Sequence, residues 1–420
     1  MEKERLAVVS SYDDFCGNAS YTKALVEELS HHFEVTVISL NVEILRKGDA
    51  RCAKQHILQI RERLKTFDCV NIQFEGSLFG TTLHIIQKRF FMMVKGCKRL
   101  LLTVHRYHGK ENYPGWISLG KALLNGNLQG FIAEFRTAHS QNRYLPLYNK
   151  IIKFCVKNNF PILIHTPRDR QLIQMKFQYD RVYDHPLCFY DQKQIEALGR
   201  VNTKKEFCKA FSLDEKKTYI GIFGFISSIK GHETVIKALK FLPEEYELLI
   251  LGAQHPHTIR LNEPIDHYIK GVLKLIDKRQ CSDRVKFFRL TNDEELLKAL
   301  LGCDFNVLPY LEVNQGGSSI AALSLETHAK SIFSQNFAFL ELEKYAPNAF
   351  KMFSIGNYLE LAQAILTYQT EHYAPHLQTY HKKYNIHTSA ELYKKLLTLD
   401  SCTDKVPERS LQQAIPQVAT

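Results

Sequence analysis

The sequence lacks the marks of a stapled, metal-held or membrane-spanning protein. Its ten cysteines, at 16, 52, 69, 97, 155, 188, 208, 281, 303 and 402, never reach a CxxC spacing. Neither a zinc knuckle nor a thioredoxin-type motif is therefore expected. Long apolar runs are missing too. The longest, Tyr219 to Ile229, is about half a membrane span. Met1 to Phe15 holds only the short run Leu6-Ala7-Val8-Val9, so neither a signal peptide nor a transmembrane helix is expected. The expectation is a cytoplasmic chain whose thiols stay reduced. No GxGxxG follows any apolar run and no Walker loop occurs, which disfavours an NAD dehydrogenase and a P-loop enzyme. The absence of a long-period repeat argues against a solenoid.

What is present is ordinary globular material in quantity. The 420 residues are 45% hydrophobic and 24% charged, enough for two domains of roughly 150 to 200 residues each. Lys plus Arg at 55 against Asp plus Glu at 44 leaves +11. Such a balance attracts anions such as nucleotides, phospholipid headgroups or nucleic acid without choosing among them.

Short β-branched runs alternate with longer amphipathic stretches, the pattern of parallel strands joined by crossover helices. Candidate strands are Leu6–Ser10, Val35–Leu40, Cys69–Gln73, Leu100–Val104, Gly130–Ala133 and Pro161–Ile164. After a polar stretch, Asp191–Lys217, the pattern restarts with Tyr219–Phe223, Glu247–Leu251, Val285–Phe288, Phe305–Leu308 and Ser331–Ser334. A helix is predicted between the third and fourth of these, capped by Thr291 or Asn292 and closed by Gly302. The expected fold class is α/β, with two doubly wound domains over 1–195 and 205–375. A returning helix is expected within 376–399, and a disordered polar tail at 400–420.

In doubly wound domains ligands gather beyond the carboxyl ends of the strands, so the residues after each run are the informative ones. GIFGFISSIKG, Gly221–Gly231, leads from the first strand of the second half into a helix. Glycines such as Gly224 let a ligand approach, and Lys230 adds charge beside free helix amides, a plausible phosphate site or simply a structural turn. QGGSS, with Gln315, Gly316, Gly317, Ser318 and Ser319, opens a later helix and suits an anion or a sugar hydroxyl, or else a flexible loop with a serine cap. His105 ends the apolar run Leu100–Val104 and His165 ends Pro161–Ile164. A strand-end histidine can hydrogen-bond a substrate, move a proton or cap a strand. Glu75, Asp13 and Asp14 are carboxylates at comparable ends, the two aspartates read more simply as turn or cap formers.

Taken in order, CGNASYTKALVEEL, IQFEGSLFG, TVHRYHG, FGFISSIKG and LPYLEVNQGGSS resemble the family 4 glycosyltransferases of the GT-B fold. The likeness spans most of residues 1 to 335, and the stretch Ser389–Leu399 resembles the terminal helix that crosses back onto the first domain in such enzymes. The resemblance implies two Rossmann-like domains facing across a nucleotide-sugar cleft. It implies sugar transfer from a UDP- or GDP-linked donor with retention, and no cofactor or essential metal. Lys230 then matches the lysine that neutralises the donor diphosphate, and His105 the histidine lining the sugar pocket. Gly17 and Asn18 match the first-domain turn facing the phosphates, and Gly317, Ser318 and Ser319 the segment holding donor sugar and phosphate. Glu75 and His165 are acceptor-side candidates. The acceptor would be a glycan, a lipid-linked molecule or a protein, with no nucleic-acid partner.

The sequence departs from the family in one place. The usual pair of glutamates with seven residues between them, before a Gly-x-Pro turn, aligns with Gly316 and Ser324, Glu326 falls two residues late, and Ala329 and Ser331 stand for the Gly and Pro. Glu326 is kept as a displaced donor contact. A non-catalytic binding or scaffold protein and a nucleotide-sugar epimerase stand as alternatives. The run Lys88–Arg99, with five basic residues around Phe90-Phe91-Met92-Met93, reads either as a site of weak docking to anionic membrane at the inner face or as an ordinary crossover helix.

Overall fold

The computed structural model describes residues 3–12, 17–107, 144–198, 204–254, 264–312 and 316–398, together with residues 124 and 132. Among these, two six-stranded sheets are formed, and every pairing in them is parallel. The first contains β1 Arg5–Ser10, β2 Glu34–Ser39, β3 Cys69–Phe74, β4 Leu100–Val104, β5 Ile162–Ile164 and β6 Val182–Asp184, in the order β2-β1-β3-β4-β5-β6. The second contains β7 Thr218–Phe223, β8 Tyr246–Leu251, β9 Val285–Phe288, β10 Phe305–Leu308, β11 Lys330–Ser334 and β12 Lys351–Phe353, ordered β12-β11-β10-β7-β8-β9.

Both orders reverse beside the first strand of their sheet, at β1/β3 and at β7/β10, and such switch points open a crevice at the carboxyl edge. Local sequence explains the elements around them. Asn292 caps the helix Asp293–Gly302 by accepting from the Glu295 amide, with three acidic residues in its first turn, where the positive end of the dipole favours them. Along β1, Leu6 and Val8 join one core while Ala7 and Val9 join the other, the two-residue alternation of a strand covered on both faces.

The core holding Leu6 and Val8 continues through Tyr21, Leu25, Cys188 and Phe189 to Tyr219, Phe223 and Leu300 of the second sheet. It ends on Ile386, Ala390, Tyr393 and Leu397 of the helix Ile386–Thr398. That helix lies against the helix Gly17–Leu29 and against β3 and β4.

Two features differ from expectation, and one of two readings of a third is met. β6 and β12 were not foreseen, because each three-residue strand carries a charged residue, Asp184 and Lys351, whereas the equally short β5 is wholly apolar. The strand proposed at Gly130–Ala133 lies outside the described residues except for Ile132, which is helical. β4 pairs directly with β5, leaving no room between them for another strand. Finally, the helix Leu83–Met93 ends within the Lys88–Arg99 run, and Phe90, Met93 and Val94 are buried in the first-domain core, as a crossover helix requires. The tail 400–420 lies outside the described residues.

Candidate functional site

The site is built upward from one backbone carbonyl. In β3 and β4 the Asn71 side-chain amide donates to the Leu101 carbonyl at 3.1 Å and to Thr103 Oγ1 at 3.0 Å. A carbonyl can only accept, so the Asn71 amide orientation is fixed and its oxygen faces Gln73, whose Nε2 donates to it at 2.6 Å. Gln73 Nε2 also reaches the Tyr393 hydroxyl at 3.2 Å, and that hydroxyl lies 2.8 Å from Thr103 Oγ1. Gln73 Oε1 is left to accept from His105 Nε2 at 2.8 Å. His105 is thereby held with its proton on Nε2 and its Nδ1 lone pair free. Burial, and then the neighbouring His165, push its imidazole well below the ordinary histidine range.

His165, at the end of β5, is fixed the opposite way round. Its Nδ1 donates to the His185 carbonyl at 3.0 Å, while Nε2 is buried with no partner. Burial brings its pKa down to about 4. The two imidazoles lie 4.9 Å apart between ring centres, and Tyr21 meets both edge-on at 5.6 and 5.5 Å. Two neutral histidines thus end the strands of the first domain, each offering a lone pair rather than a positive charge.

Across from them lie the two switch-point loops of the second domain. After β7 the chain turns at Gly224, φ +97°, and makes a 3-10 turn at Ser228–Lys230. It turns again at Gly231, φ +69°, before the helix His232–Ala238. Lys230 Nζ sits 3.7 Å from the centre of the Tyr310 ring, which places the cation beside the loop after β10. Ser318 caps the helix Ser319–Glu326 by accepting from the Ala321 amide. This segment reaches the first domain. A Cβ on Gly17 would lie 2.6 Å from Ser319 Oγ, one on Gly316 would lie 3.1 Å from Arg106 Cγ, and one on Gly317 would lie 3.3 Å from Leu187. Larger residues would wedge the loop away. Arg106 meets Glu312 at 2.7 Å, Ser20 meets Asp293 at 3.0 Å, and the Arg168 amide donates to Glu341 at 2.8 Å, so the seam is tied beside the cleft and further along.

The structure brings together His105, His165, Gly17, Gly316, Gly317, Ser318 and Ser319, with Lys230 and Gly224 on the adjoining loop. Asn18 takes its place in the first turn of Gly17–Leu29, its carbonyl accepting from Thr22. His165 lines a cavity of about 20 Å³ together with Gly317 and Ser318, so it faces the loop that opens the helix Ser319–Glu326. Glu75 is half-buried after β3, its carboxyl raised by burial and drawn down by the Ser77 amide and Arg106. Glu326 is turned elsewhere. Its Oε1 accepts from the Phe189 and Tyr190 amides at 2.8 and 3.3 Å, and burial raises its pKa to about 8. It braces the connection between the domains, because the two-residue displacement carries it round the helix. Gln315, Asp13 and Asp14 lie outside the described residues. Among the described residues no group of three or more His, Cys, Asp or Glu is placed to hold a metal ion.

Gln73, Tyr21, Tyr393 and Arg106 were missed. The one available signal was polar: Asn71, Gln73 and Thr103 interrupt strands that are otherwise apolar and are all fully buried.

Two Rossmann-like domains facing across a cleft define the GT-B arrangement. Solved structures share it over nearly the whole chain. HepE from Anabaena, in complex with UDP and glucose, is 12% identical with a TM-score of 0.61, the match covering 94% of this chain and 100% of that one. A glycosyltransferase from Rickettsia africae is 14% identical, TM-score 0.60, covering 95% and 100%. WaaG, a glycosyltransferase of lipopolysaccharide biosynthesis, is 12% identical, TM-score 0.56, covering 94% and 99%. No family model matches the sequence, and no curated protein matches it.

Proposed function

We propose that the protein is a retaining glycosyltransferase that moves a sugar from a nucleotide-diphosphate donor to a glycan, lipid-linked or protein acceptor. The observation that carries this reading is the pairing of two lone-pair-bearing histidines, His105 and His165, with the loops at Lys230 and Ser319 across one cleft. Sugar hydroxyls are donors that a neutral imidazole accepts, and a leaving diphosphate is the anion that an ammonium and free helix amides stabilise. Lys230 and the helix start at Ser319 take the diphosphate, Ser318 with the backbone at Gly316 and Gly317 holds donor groups, and His105 and His165 orient the sugar. Stabilising the charge that develops on the departing diphosphate lowers the barrier more than any other effect in such catalysis. HepE was crystallised with UDP and with UDP-glucose, which favours a uridine donor. The test is product mass spectrometry after incubation with a panel of UDP- and GDP-sugars and acceptors. Absence of any transfer product, with no nucleotide-induced rise in melting temperature, rejects the reading.

One observation favours a second reading, a non-catalytic nucleotide-sugar binder. Gly316 and Ser324 occupy the usual glutamate positions, Ser324 is fully buried, and Glu326 is committed to the connection between the domains. Donor binding without turnover decides for it.

Attraction to an anionic surface belongs to the same proposal. Residues 76–167 contain thirteen basic and two acidic residues, which accounts for the whole +11 of the chain. Within them Lys88 of the helix Leu83–Met93 and Lys150, Lys153 and Lys157 of the helix Leu145–Lys157 are exposed, and Lys150 reaches Gln87 of the first helix at 3.1 Å.

A further inference from the structure

A cavity of about 660 Å³ lies at the opposite edge of the second sheet from the cleft. Its walls are the helix Gln192–Leu198, the turn His328–Lys330 that leads into β11, and the helix Thr370–Lys383. Its size is that of a pocket for a small organic ligand. His381 lines it while only 3% exposed, and neither of its ring nitrogens has a partner. A neutral imidazole carries one donor and one acceptor, and buried polar groups in folded proteins are nearly always satisfied. An orphaned pair on the wall of a cavity of this size therefore marks a place where something binds. Beside it, His328 stands edge-on at 5.2 Å and donates from Nε2 to the Ile195 carbonyl at 3.2 Å. His328 also holds φ +55°, a left-handed conformation that a non-glycine residue adopts at a cost.

We propose that this cavity is a second binding site, separate from the cleft, for an uncharged glycan segment. Tyr368 and Tyr373, stacked with ring centres 4.6 Å apart, supply aromatic surface for the C–H face of a sugar ring. Gln192 supplies an amide from the helix Gln192–Leu198, and Gln378 supplies one from the same helix as His381. Donors and acceptors on two different walls suit a puckered polyol, whose hydroxyls radiate in all directions, better than a flat base read along one edge. Charge does not select an anion. Lys330 Nζ lies 5.2 Å over the Phe305 ring, Glu196 opposes Lys382 in the lining, and burial lowers both histidines, His381 to about 3. The proposal does not rest on the activity assigned to the cleft.

Saturation-transfer NMR and calorimetry on the full chain test it, with maltotriose, cellotriose, mannotriose and chitotriose as probes and adenosine and inorganic phosphate as counter-probes. At least one trisaccharide is expected to bind. The affinity should fall about tenfold or more in His381→Phe, which keeps a ring but removes both hydrogen-bonding atoms, and in Tyr373→Ala. Lys230→Ala, in the cleft, should leave it unchanged. Tyr373 is half-buried at the surface, so its variant carries the test if His381→Phe does not fold. No binding by any trisaccharide, binding indifferent to both variants, or occupation by adenosine or phosphate instead would overturn the proposal. A failure of UDP to bind would count against the reading of the cleft and leave this one standing.

Discussion

Gln73 Oε1 accepts from His105 Nε2 at 2.8 Å, and the Gln73 amide can present that oxygen only because Asn71 and, beyond it, the Leu101 carbonyl fix its orientation. Gln73→Glu places a carboxylate in the same position, which favours the protonated imidazole and turns its free lone pair into a donor. Turnover should fall while the fold persists, and NMR titration of His105 should show its pKa moving upward. Gln73→Leu instead leaves several buried groups unpartnered, at a cost of about 1–3 kcal/mol each, read as a drop in melting temperature. A histidine whose titration is unmoved by Gln73→Glu would disprove the link.

Lys230→Ala should weaken binding of UDP or GDP by about 1.5–3 kcal/mol, the worth of a charge-assisted contact, with little change in folding stability. Calorimetry on the purified variant reads this directly. Unchanged nucleotide affinity would remove Lys230 from the phosphate site.

Two glycines should respond in opposite directions to alanine. Gly231 has φ +69° and its added Cβ would lie 1.9 Å from the Pro309 carbonyl oxygen, whereas the Cβ of Gly271, within the helix His267–Arg279, would meet nothing within 4 Å. Gly231→Ala should therefore destabilise by more than about 1–3 kcal/mol, and Gly271→Ala should stabilise by about 0.5–1 kcal/mol. Chemical denaturation of both variants checks the contrast.

Stability should fall steeply as pH drops below the ordinary histidine range. His165, His185 and His232 are held neutral by burial, each with its pKa lowered to about 4. Between that value and 6.5 the unfolded chain binds more protons than the folded one, so stability rises with pH there. Glu326 acts with the opposite sign. Its folded pKa of about 8 lies above the ordinary 4.5 of a glutamate, so its contribution is full below 4.5 and is lost as pH rises toward 8. Glu326→Gln should accordingly gain more stability at about pH 8 than at about pH 5, measured by denaturant melts. Equal shifts at the two values would contradict the assignment.

Binding to vesicles of anionic lipid should be salt-sensitive and absent for neutral vesicles. Exchanging Lys150, Lys153 and Lys157 for Glu should abolish it, each charge being worth about 1 kcal/mol near the surface. Because Phe90 and Met93 are core residues, the contact should be electrostatic, and high salt should abolish co-sedimentation. Binding that persists in high salt would point to apolar insertion instead.

The strands legible in the sequence were short apolar or β-branched runs set between polar stretches, and the loops singled out as site candidates were those carrying glycine beside a charge or hydroxyl. Lys230 and Ser319 were proposed in this way. Gln73 and Tyr393 were not, since their meaning depends on a contact spanning 320 positions, which no local window contains. Glu326 was misjudged for a related reason: an alignment offset of two residues is small along the chain but about 200° around a helix.

The Tyr393 hydroxyl touches both Gln73 and Thr103 across 320 and 290 positions of sequence, so the element that completes the support beneath His105 is synthesised after all six strands of the first sheet. Strands β1 to β6 can pair during synthesis, but the imidazole they carry stays without its full hydrogen-bonded footing until residues 386–398 emerge and dock. Nascent chains arrested before Ile386 should accordingly show a first domain already resistant to protease yet with His105 free to titrate, a folded half still waiting for its final instruction.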